Sequence, residues 1–392
     1  MTEHLMGAEE LPGTGASNRA SGGGAAAASA RANARAAVEA AERAFPGWSA
    51  ASPAERRGAL QRASELLMER QAGIAALVTE ETGGTLGWGM FNVELAAGML
   101  AYYAGQAGAP TADEQEIPSH IPGKRAKAVR QPVGVVVGIA PWNAPVILGV
   151  RAVAAPLAYG NTVALKASEQ CPRTHPAIVG TLTDAGVPTG AINLVTNDPE
   201  DAAEVVDELV AHPAVRRISF TGSTRVGRII AEKAARHLKR VLLELGGNAP
   251  LVVLADADLG RAVAAASFGS FMNQGQICMS TERIVIDRSV ADEFARMLGE
   301  RASALNVGDP REPGTQIGPL VNQDALKRVT GHVEDAVAKG ATMIAGGNAK
   351  GRYFEPTVVR GVARYADVPR RILWAGRRSR AGRRRRGGGA RR

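Results

Sequence analysis

The chain has 392 residues, of which 46 are glycine and 45% are hydrophobic, and its formal net charge is +9. This length is sufficient for two domains with large cores. No apolar run reaches the roughly 18–20 residues that a membrane-spanning helix needs, and the N-terminus lacks the pattern of a secretory signal. The two cysteines, Cys171 and Cys278, are too few for a disulfide framework and form no zinc-like spacing. We therefore expect a cytoplasmic protein without a metal and without membrane association.

The positive charge is concentrated in the C-terminal tail, residues 370–392. This tail holds 11 arginines and no acidic residue, so residues 1–369 carry a net charge of −2. It has no hydrophobic period and is expected to form no packed element. A nucleic-acid-binding function would depend on this Arg/Gly tail alone, and such runs are usually solvated. At the other end, residues 13–30 are rich in Gly, Ala and Ser, which predicts a flexible or atypical leader over residues 1–32.

Helix-like and strand-like patterns alternate along the chain. The spacing of apolar residues predicts helices over 34–45, 53–82, 91–105, 144–159, 176–185, 201–211, 226–238, 259–271 and 291–305. β-branched and apolar runs predict strands over 133–139, 162–166, 191–195, 217–220, 251–254 and 282–287. Residues 111–131 leave this series as a polar excursion. The alternation is typical of an α/β protein with doubly wound parallel sheets, and a second series begins after Gly247.

Three polar residues have the chemistry of a thiol-based acyl-transfer site. Cys278 stands in Gly-Gln-Ile-Cys-Met-Ser-Thr (275–281), Glu244 in Leu-Glu-Leu-Gly-Gly (243–247) and Asn143 in Pro-Trp-Asn-Ala-Pro (141–145). A thiolate attacks a carbonyl, an amide N–H stabilises the oxyanion, and a carboxylate activates water. Each residue also has a structural alternative. The cysteine would be buried, the asparagine would cap the following helix, and the glutamate would form a salt bridge.

Two further segments are candidates for holding a nucleotide. Lys166 and Glu169 follow the predicted strand 162–166, and ligands of doubly wound sheets bind beyond the carboxyl ends of the strands. Gly222 and Ser223 lie between a predicted strand and a helix, where backbone N–H groups favour a pyrophosphate. The alternatives are a surface Lys/Glu pair and an ordinary strand-to-helix turn.

These motifs, in this order, resemble those of the NAD(P)-dependent aldehyde dehydrogenases. The resemblance runs from about residue 33 to about residue 369 and rests on Pro-Trp-Asn, Lys-Ala-Ser-Glu (166–169), Phe-Thr-Gly-Ser (220–223), Glu-Leu-Gly-Gly and Gly-Gln-Ile-Cys. It implies that Cys278 is the nucleophile, Asn143 the oxyanion donor and Glu244 the base. The cofactor residues that it implies are Ile139, Pro141, Trp142, Lys166, Glu169, Gly222, Ser223, Leu245 and Gly246. A carboxylate at Glu169 would repel a 2′-phosphate, which favours NAD over NADP.

The resemblance also implies a domain organisation. Residues 33–110 and 133–246 would form the NAD-binding domain, 111–132 a small oligomerisation ribbon and 247–369 an incomplete catalytic domain, followed by the non-family tail 370–392. The intact family form is a homodimer or homotetramer.

Family members carry a Glu-Glu-Ser-Phe-Gly-Pro-Val type segment where the tail begins. A one-base shift of the codons for residues 370–376 can encode that segment. We therefore interpret the tail as a truncation or frameshift.

Within the family, the resemblance is greatest to enzymes of aromatic aldehydes such as salicylaldehyde and benzaldehyde. Trp88, Phe91, Met99 and Met279 would line an aromatic pocket, or else belong to the core. Arg151 would face a ring hydroxyl, or else form a structural ion pair, which we favour. A semialdehyde-oxidising relative, a CoA-acylating relative and an inactive truncated copy remain alternatives.

Overall fold

The computed structural model describes residues 23–108, 114–361 and 374–375. The chain divides into two compact units. The first unit lies within residues 1–82 and 86–246, and the second unit within residues 83–85 and 247–392. No helix in the described part of the chain is both long and apolar enough to cross a lipid bilayer.

The first unit contains eight α-helices and seven strands among its described residues. The helices are α1 (Gly23–Ala50), α2 (Pro53–Glu69), α3 (Gln71–Thr82), α4 (Leu86–Gly108), α5 (Pro145–Ala158), α6 (Thr174–Asp184), α7 (Ala202–Ala211) and α8 (Thr224–Arg236). The strands are β1 (Glu114–Ile117), β2 (Ala126–Val129), β3 (Val135–Ile139), β4 (Thr162–Lys166), β5 (Ile192–Val195), β6 (Val215–Gly222) and β7 (Arg240–Leu245). A short 3₁₀ turn, Pro199–Asp201, precedes α7.

Five of these strands form one parallel sheet in the order β5-β4-β3-β6-β7. Every residue of β3 and β4 is buried, because helices cover both faces of a parallel sheet and its central strands become continuous apolar runs. The sequence order of the strands reverses at β3, which is the mark of a doubly wound sheet. The predicted α/β class is therefore confirmed.

Helix α1 corrects the expected leader. The prediction made residues 1–32 flexible or atypical, but α1 begins at Gly23, and Ala30 is buried in the core of the first unit with Ala34, Ala37 and Val38. Alanine is the strongest helix former, and these four residues recur at helical spacing on one face. Residues 1–22 lie outside the described part of the chain.

The predicted helix 53–82 is two helices that meet at Arg70. Helix α2 begins with a capping box, in which Ser52 Oγ accepts a hydrogen bond from the Glu55 backbone N–H at 3.2 Å and Glu55 Oε2 accepts one from the Ser52 N–H at 2.7 Å. At the other end, Arg70 leaves the helical conformation, and its guanidinium donates to Asp184 at 2.7 Å. This contact joins residues 114 positions apart, so local periodicity does not reveal it.

The predicted polar excursion contains an antiparallel strand pair. β1 and β2 pair with Glu114 opposite Val129 and Ile117 opposite Ala126. Residues 109–113 lie outside the described ranges. The role of this ribbon in oligomer assembly stays a prediction.

The second unit contains β8 (Ala249–Val253), β9 (Thr281–Ile286), β10 (Thr342–Ala345), β11 (Ala349–Lys350), β12 (Tyr353–Phe354), β13 (Val358–Arg360) and β14 (Trp374–Ala375). Its helices are α9 (Leu259–Phe271), α10 (Ala291–Ser303) and α11 (Gln323–Ala338). The main sheet has the order β10-β13-β14-β9-β8, and it is mixed because β10 and β13 are antiparallel.

Strand β14 corrects the expectation that the tail forms no packed element. Trp374–Ala375 pairs in parallel with β13 on one side and with β9 on the other. A backbone position between two strands is open to any residue with a free N–H and C=O, so this pairing needs no hydrophobic period in the sequence. Residues 362–373 and 376–392 lie outside the described part.

Candidate active site

The predicted site residues of the first unit lie at one edge of its sheet. Because the five strands are parallel, their carboxyl ends meet at the same edge, which we call the carboxyl edge. It carries residues that end each strand or follow it. These are Ile139, Pro141, Trp142 and Asn143 at β3, Lys166 and Glu169 at β4, Asn197 at β5, Gly222 and Ser223 at β6, and Glu244, Leu245 and Gly246 at β7. Of these, Asn197 was missed by sequence reasoning, although its place after strand β5 follows the same rule.

The turn that carries Asn143 is held through its backbone. Trp88 of α4 is 4% exposed and its indole N–H donates to the Asn143 carbonyl oxygen at 3.1 Å. The Trp88 ring stacks on Phe91 with centroids 5.6 Å apart. Trp88 is thus a buried support for the Asn143 turn. The N-cap of α5 is Ala144, so Asn143 lies one residue before the capping position that the structural alternative assigned to it.

Lys166 and Glu169 form a part-buried ion pair. Lys166 is 5% exposed and its ammonium donates to Glu169 Oε1, which also accepts a hydrogen bond from Asn197 Nδ2 at 3.1 Å. Burial acts to raise the pKa of Glu169, but the charge of Lys166 and the hydrogen bonds outweigh it and hold that pKa below its usual range. Glu169 is therefore a charged, oriented carboxylate at the carboxyl edge.

A buried histidine holds the turn between these two residues. The Ser168 backbone N–H donates to His175 Nδ1 at 3.1 Å, and His175 is fully buried on α6. Burial lowers the pKa of His175 to about 4, so its Nδ1 stays available as an acceptor at neutral pH. Cys171, in the same turn, is also fully buried, and burial raises the pKa of its thiol. This agrees with the structural role predicted for Cys171.

The β6–α8 turn offers a helix N-terminus. Ser223 is the N-cap of α8, and its Oγ accepts a hydrogen bond from the Val226 N–H at 3.3 Å. A Cβ at Gly227 would lie 2.6 Å from a methyl carbon of Leu245, so a larger residue there would require the Leu245 side chain to move. The first N–H groups of α8 therefore face the carboxyl edge beside Gly222.

Glu244 is paired with Arg151. The Arg151 guanidinium lies 2.8 Å from Glu244 Oε1, and the two side chains are 37% and 44% exposed. The ion pair that the sequence favoured for Arg151 is thus present. Its partner could not be read from the sequence, because 93 positions separate the two residues.

Cys278 belongs to the second unit and follows a strained turn. Asn273 and Gln274 have φ of 49° and 55°, and Gly275 has φ of 70°. Two consecutive non-glycine residues in the left-handed region cost free energy, and such strain collects at functional sites. The Cys278 thiol is free and partly exposed between the buried Ile277 and the exposed Met279. The structure therefore does not support the alternative that Cys278 is a buried structural cysteine.

Side-chain hydrogen bonds hold this turn in place. Gln276 is 5% exposed, and its Oε1 accepts a hydrogen bond from the Val321 N–H at 3.1 Å. Ser280 Oγ donates to the Gly275 carbonyl oxygen at 3.1 Å, and Gln274 Nε2 donates to the Gly83 carbonyl oxygen at 3.3 Å. The polar residues on both sides of Cys278 therefore fix the backbone that carries the thiol.

The donors of the carboxyl edge fit a dinucleotide rather than a metal. Glu169 is a carboxylate suited to ribose hydroxyls, and the N-terminus of α8 suits a pyrophosphate. Gly246 has no atom within 4 Å of the place where a Cβ would stand, so the backbone there is open to close approach. Among the described residues, no group of three or more His, Cys, Asp or Glu side chains is placed to hold a metal ion.

Known proteins are similar to this chain in sequence and in fold. A family model described as the aldehyde dehydrogenase family matches residues 19–371. A vanillin dehydrogenase of Pseudomonas fluorescens is 52% identical over 330 residues, which are 84% of this chain and 68% of that protein. The crystal structure of a salicylaldehyde dehydrogenase from Pseudomonas putida G7, complexed with salicylaldehyde, has a TM-score of 0.83 and 42% identity, covering 86% of this chain and 69% of that one. A betaine aldehyde dehydrogenase from Staphylococcus aureus in complex with NAD+ has a TM-score of 0.80 and 31% identity, covering 84% and 66%.

The chain therefore belongs to the aldehyde dehydrogenase family. It is an oxidoreductase that acts on an aldehyde group. The resemblance drawn from the motifs is confirmed, and the family match begins at residue 19, inside the segment that was predicted to be an atypical leader.

Proposed function

We propose that this chain oxidises an aromatic aldehyde of the vanillin or salicylaldehyde type to the carboxylic acid, with NAD as the hydride acceptor. The observation that carries the aromatic assignment is the 52% identity to the vanillin dehydrogenase. The salicylaldehyde complex of a second relative supports the same substrate class. Both relatives are longer than this chain, which spans 68% and 69% of their lengths.

In the first half of the reaction, Cys278 supplies the nucleophile. Its sulfur adds to the aldehyde carbon and forms a hemithioacetal, while the side-chain amide of Asn143 and the Cys278 backbone N–H stabilise the negative oxygen. NAD, when bound, accepts the hydride that leaves this carbon. Loss of the hydride leaves a thioester on Cys278.

In the second half, Glu244 activates the water that hydrolyses the thioester. A carboxylate oxygen takes a proton from the water as the water oxygen adds to the carbonyl carbon, and the bond from that carbon to the Cys278 sulfur then breaks. The acid leaves and the Cys278 thiolate is restored. Partial exposure of Glu244 lets water reach it.

The cofactor would be held by the carboxyl edge. Glu169 would accept hydrogen bonds from ribose hydroxyls, with Lys166 and Asn197 fixing its orientation. The N-terminus of α8, with Gly222 and Ser223, would hold the pyrophosphate. Ile139, Pro141, Trp142, Leu245 and Gly246 would line the remaining part of the site.

The function is tested by following NADH formation with vanillin, salicylaldehyde and benzaldehyde, with succinate semialdehyde as the comparison. We expect kcat/KM for an aromatic aldehyde to exceed that for the semialdehyde by at least about tenfold. A pocket that binds an aromatic ring binds the carboxylate of the semialdehyde less well. The product should be the free acid, also when coenzyme A is present. A preference for the semialdehyde, or formation of a CoA thioester, would contradict the proposal.

Replacement of Glu169 by glutamine should shift the cofactor preference towards NADP. The native carboxylate repels a 2′-phosphate, and its loss also releases the Lys166 ammonium to meet that phosphate. We expect the ratio of kcat/KM for NADP to that for NAD to rise roughly tenfold. Glu200→Gln, which removes an exposed carboxylate within the 3₁₀ turn, is the matched control and should leave the ratio unchanged. An unchanged ratio in Glu169→Gln would mean that Glu169 does not face the ribose.

A further inference from the structure

Arg151 is a charged residue in an otherwise apolar helix. It is the one charged residue of α5 (Pro145–Ala158), and ten of the fourteen residues of this helix are buried. A charged side chain on an apolar helix needs a compensating partner. Its partner is Glu244 on β7, whose Oε1 lies 2.8 Å from the guanidinium. The strand β6 lies between β7 and β3 in the sheet, so Arg151 reaches from the helix that follows β3 to an edge strand.

The helix that carries Arg151 is fixed on two sides. A Cβ at Gly138 of β3 would lie 2.9 Å from the Cβ of Ala152, the next residue after Arg151. A Cβ at Gly149 would lie 2.7 Å from Cδ1 of Ile178 on α6. Such close approaches show that α5 is tightly packed against β3 and α6. The backbone that carries Arg151 is therefore well supported, and the contact with Glu244 restrains the exposed end of its side chain.

The ion pair fixes orientation more than stability. Both side chains are more than one-third exposed, and ion pairs of this kind contribute little to the free energy of folding. A partly exposed glutamate has three side-chain torsions and samples several rotamers when nothing holds it. The planar fork of a guanidinium restrains a carboxylate in direction as well as distance. The contact is made through Oε1.

We propose that Arg151 is a positioning residue for Glu244 that holds Oε1 and leaves Oε2 aimed at the hydrolytic water. This inference rests on the role proposed for Glu244 in thioester hydrolysis. Oε2 takes one proton of the water, the water oxygen bonds to the thioester carbon, and the C–S bond breaks to release the Cys278 sulfur. Arg151 gains and loses no proton in this step. Its effect is confined to hydrolysis, because Glu244 has no role in the attack by Cys278.

The first test is structural and needs no turnover. Crystal structures of the wild type, Arg151→Met and Arg151→Lys are compared at Glu244. Methionine keeps the length of the side chain and removes the charge. In Arg151→Met the Glu244 carboxylate should leave its wild-type position or occupy several, with α5 and β7 unmoved, and Arg151→Lys should restore it in part. A carboxylate that stays in place in Arg151→Met overturns the inference. Failure of the proposed function is distinguished from failure of this inference, because the wild type would then form no NADH from the aldehyde.

The second test is kinetic. In Arg151→Met, hydrolysis of the thioester should slow about tenfold, because misorientation of a catalytic group costs rate. NADH should then form as a burst of one equivalent per chain, with kcat/KM for aldehyde unchanged and KM lowered in step with kcat. The acyl group should be found on Cys278 by mass spectrometry. The double variant Arg151→Met/Glu244→Gln should be no slower than Glu244→Gln alone. Additive losses would mean that Arg151 acts without Glu244 and overturn the inference.

A control separates this effect from the general loss of an ion pair. Arg35 pairs with Glu208 at the same 2.8 Å, also within the first unit and away from the carboxyl edge. Arg35→Met should show neither the burst nor the slower hydrolysis. A burst in Arg35→Met would overturn the inference, since it would trace the effect to any lost ion pair.

Discussion

Replacement of Cys278 by alanine should lower NADH formation from an aromatic aldehyde by at least about 1000-fold, because no other group can form the covalent intermediate. The turn around Cys278 is held by Gln276 and Ser280 rather than by the thiol, so the fold should be unchanged. The measurement is kcat with saturating aldehyde and NAD, together with the thermal unfolding midpoint of both proteins. Activity within tenfold of the wild type would remove Cys278 from the mechanism.

Cys171 provides the matched control for this prediction. It is the second free cysteine, and it is fully buried with a raised thiol pKa. Cys171→Ala should therefore keep its NADH formation. Iodoacetamide should label the partly exposed Cys278 in the native protein and leave Cys171 unmodified, and NAD-dependent activity should fall in step with labelling. Loss of activity without modification of Cys278 would contradict the assignment.

The sequence predicts the architecture of the first unit well, because burial of a parallel sheet imposes a simple pattern. Strand β4 occupies the predicted residues 162–166, and every residue in it is buried. The carboxyl-edge rule then leads from strand β4 to Lys166 and Glu169, whereas Asn143 was found from its motif and the family resemblance. Periodicity thus predicts which residues lie at the carboxyl edge of the sheet. Nucleotide sites of doubly wound sheets are formed by residues at this edge.

Contacts between distant parts of the chain account for what the sequence did not predict. Arg70, where α2 ends, pairs with the distant Asp184, and Arg151 on α5 pairs with Glu244 on β7. Asn273 and Gln274 both take left-handed φ angles, which asparagine favours but glutamine seldom adopts, so the sequence does not predict the pair. Nothing in the sequence around His175 indicates that its ring accepts a hydrogen bond from the Ser168 N–H. Such interactions have no period, and only tertiary structure reveals them.

Replacement of Asn143 by alanine should lower kcat about 100- to 1000-fold, which is the usual cost of removing one donor to an oxyanion. The backbone of this residue is held from outside by the Trp88 N–H, so the turn should survive the loss of the side chain. The KM for NAD and the unfolding midpoint should change little. The measurement is the rate constant of NADH formation in a single turnover, which reports the first half of the reaction alone, together with steady-state kcat.

A second substitution at the same position decides between a donor role and an acceptor role of the Asn143 side chain. Aspartate keeps the side-chain oxygen that accepts hydrogen bonds in a turn. An oxyanion instead needs the N–H₂ donor, and a carboxylate would repel it. Asn143→Asp should therefore be at least as slow as Asn143→Ala in forming the first equivalent of NADH. If aspartate restored the rate while alanine lost it, Asn143 would act as an acceptor that supports the turn, and the oxyanion would be stabilised by other donors.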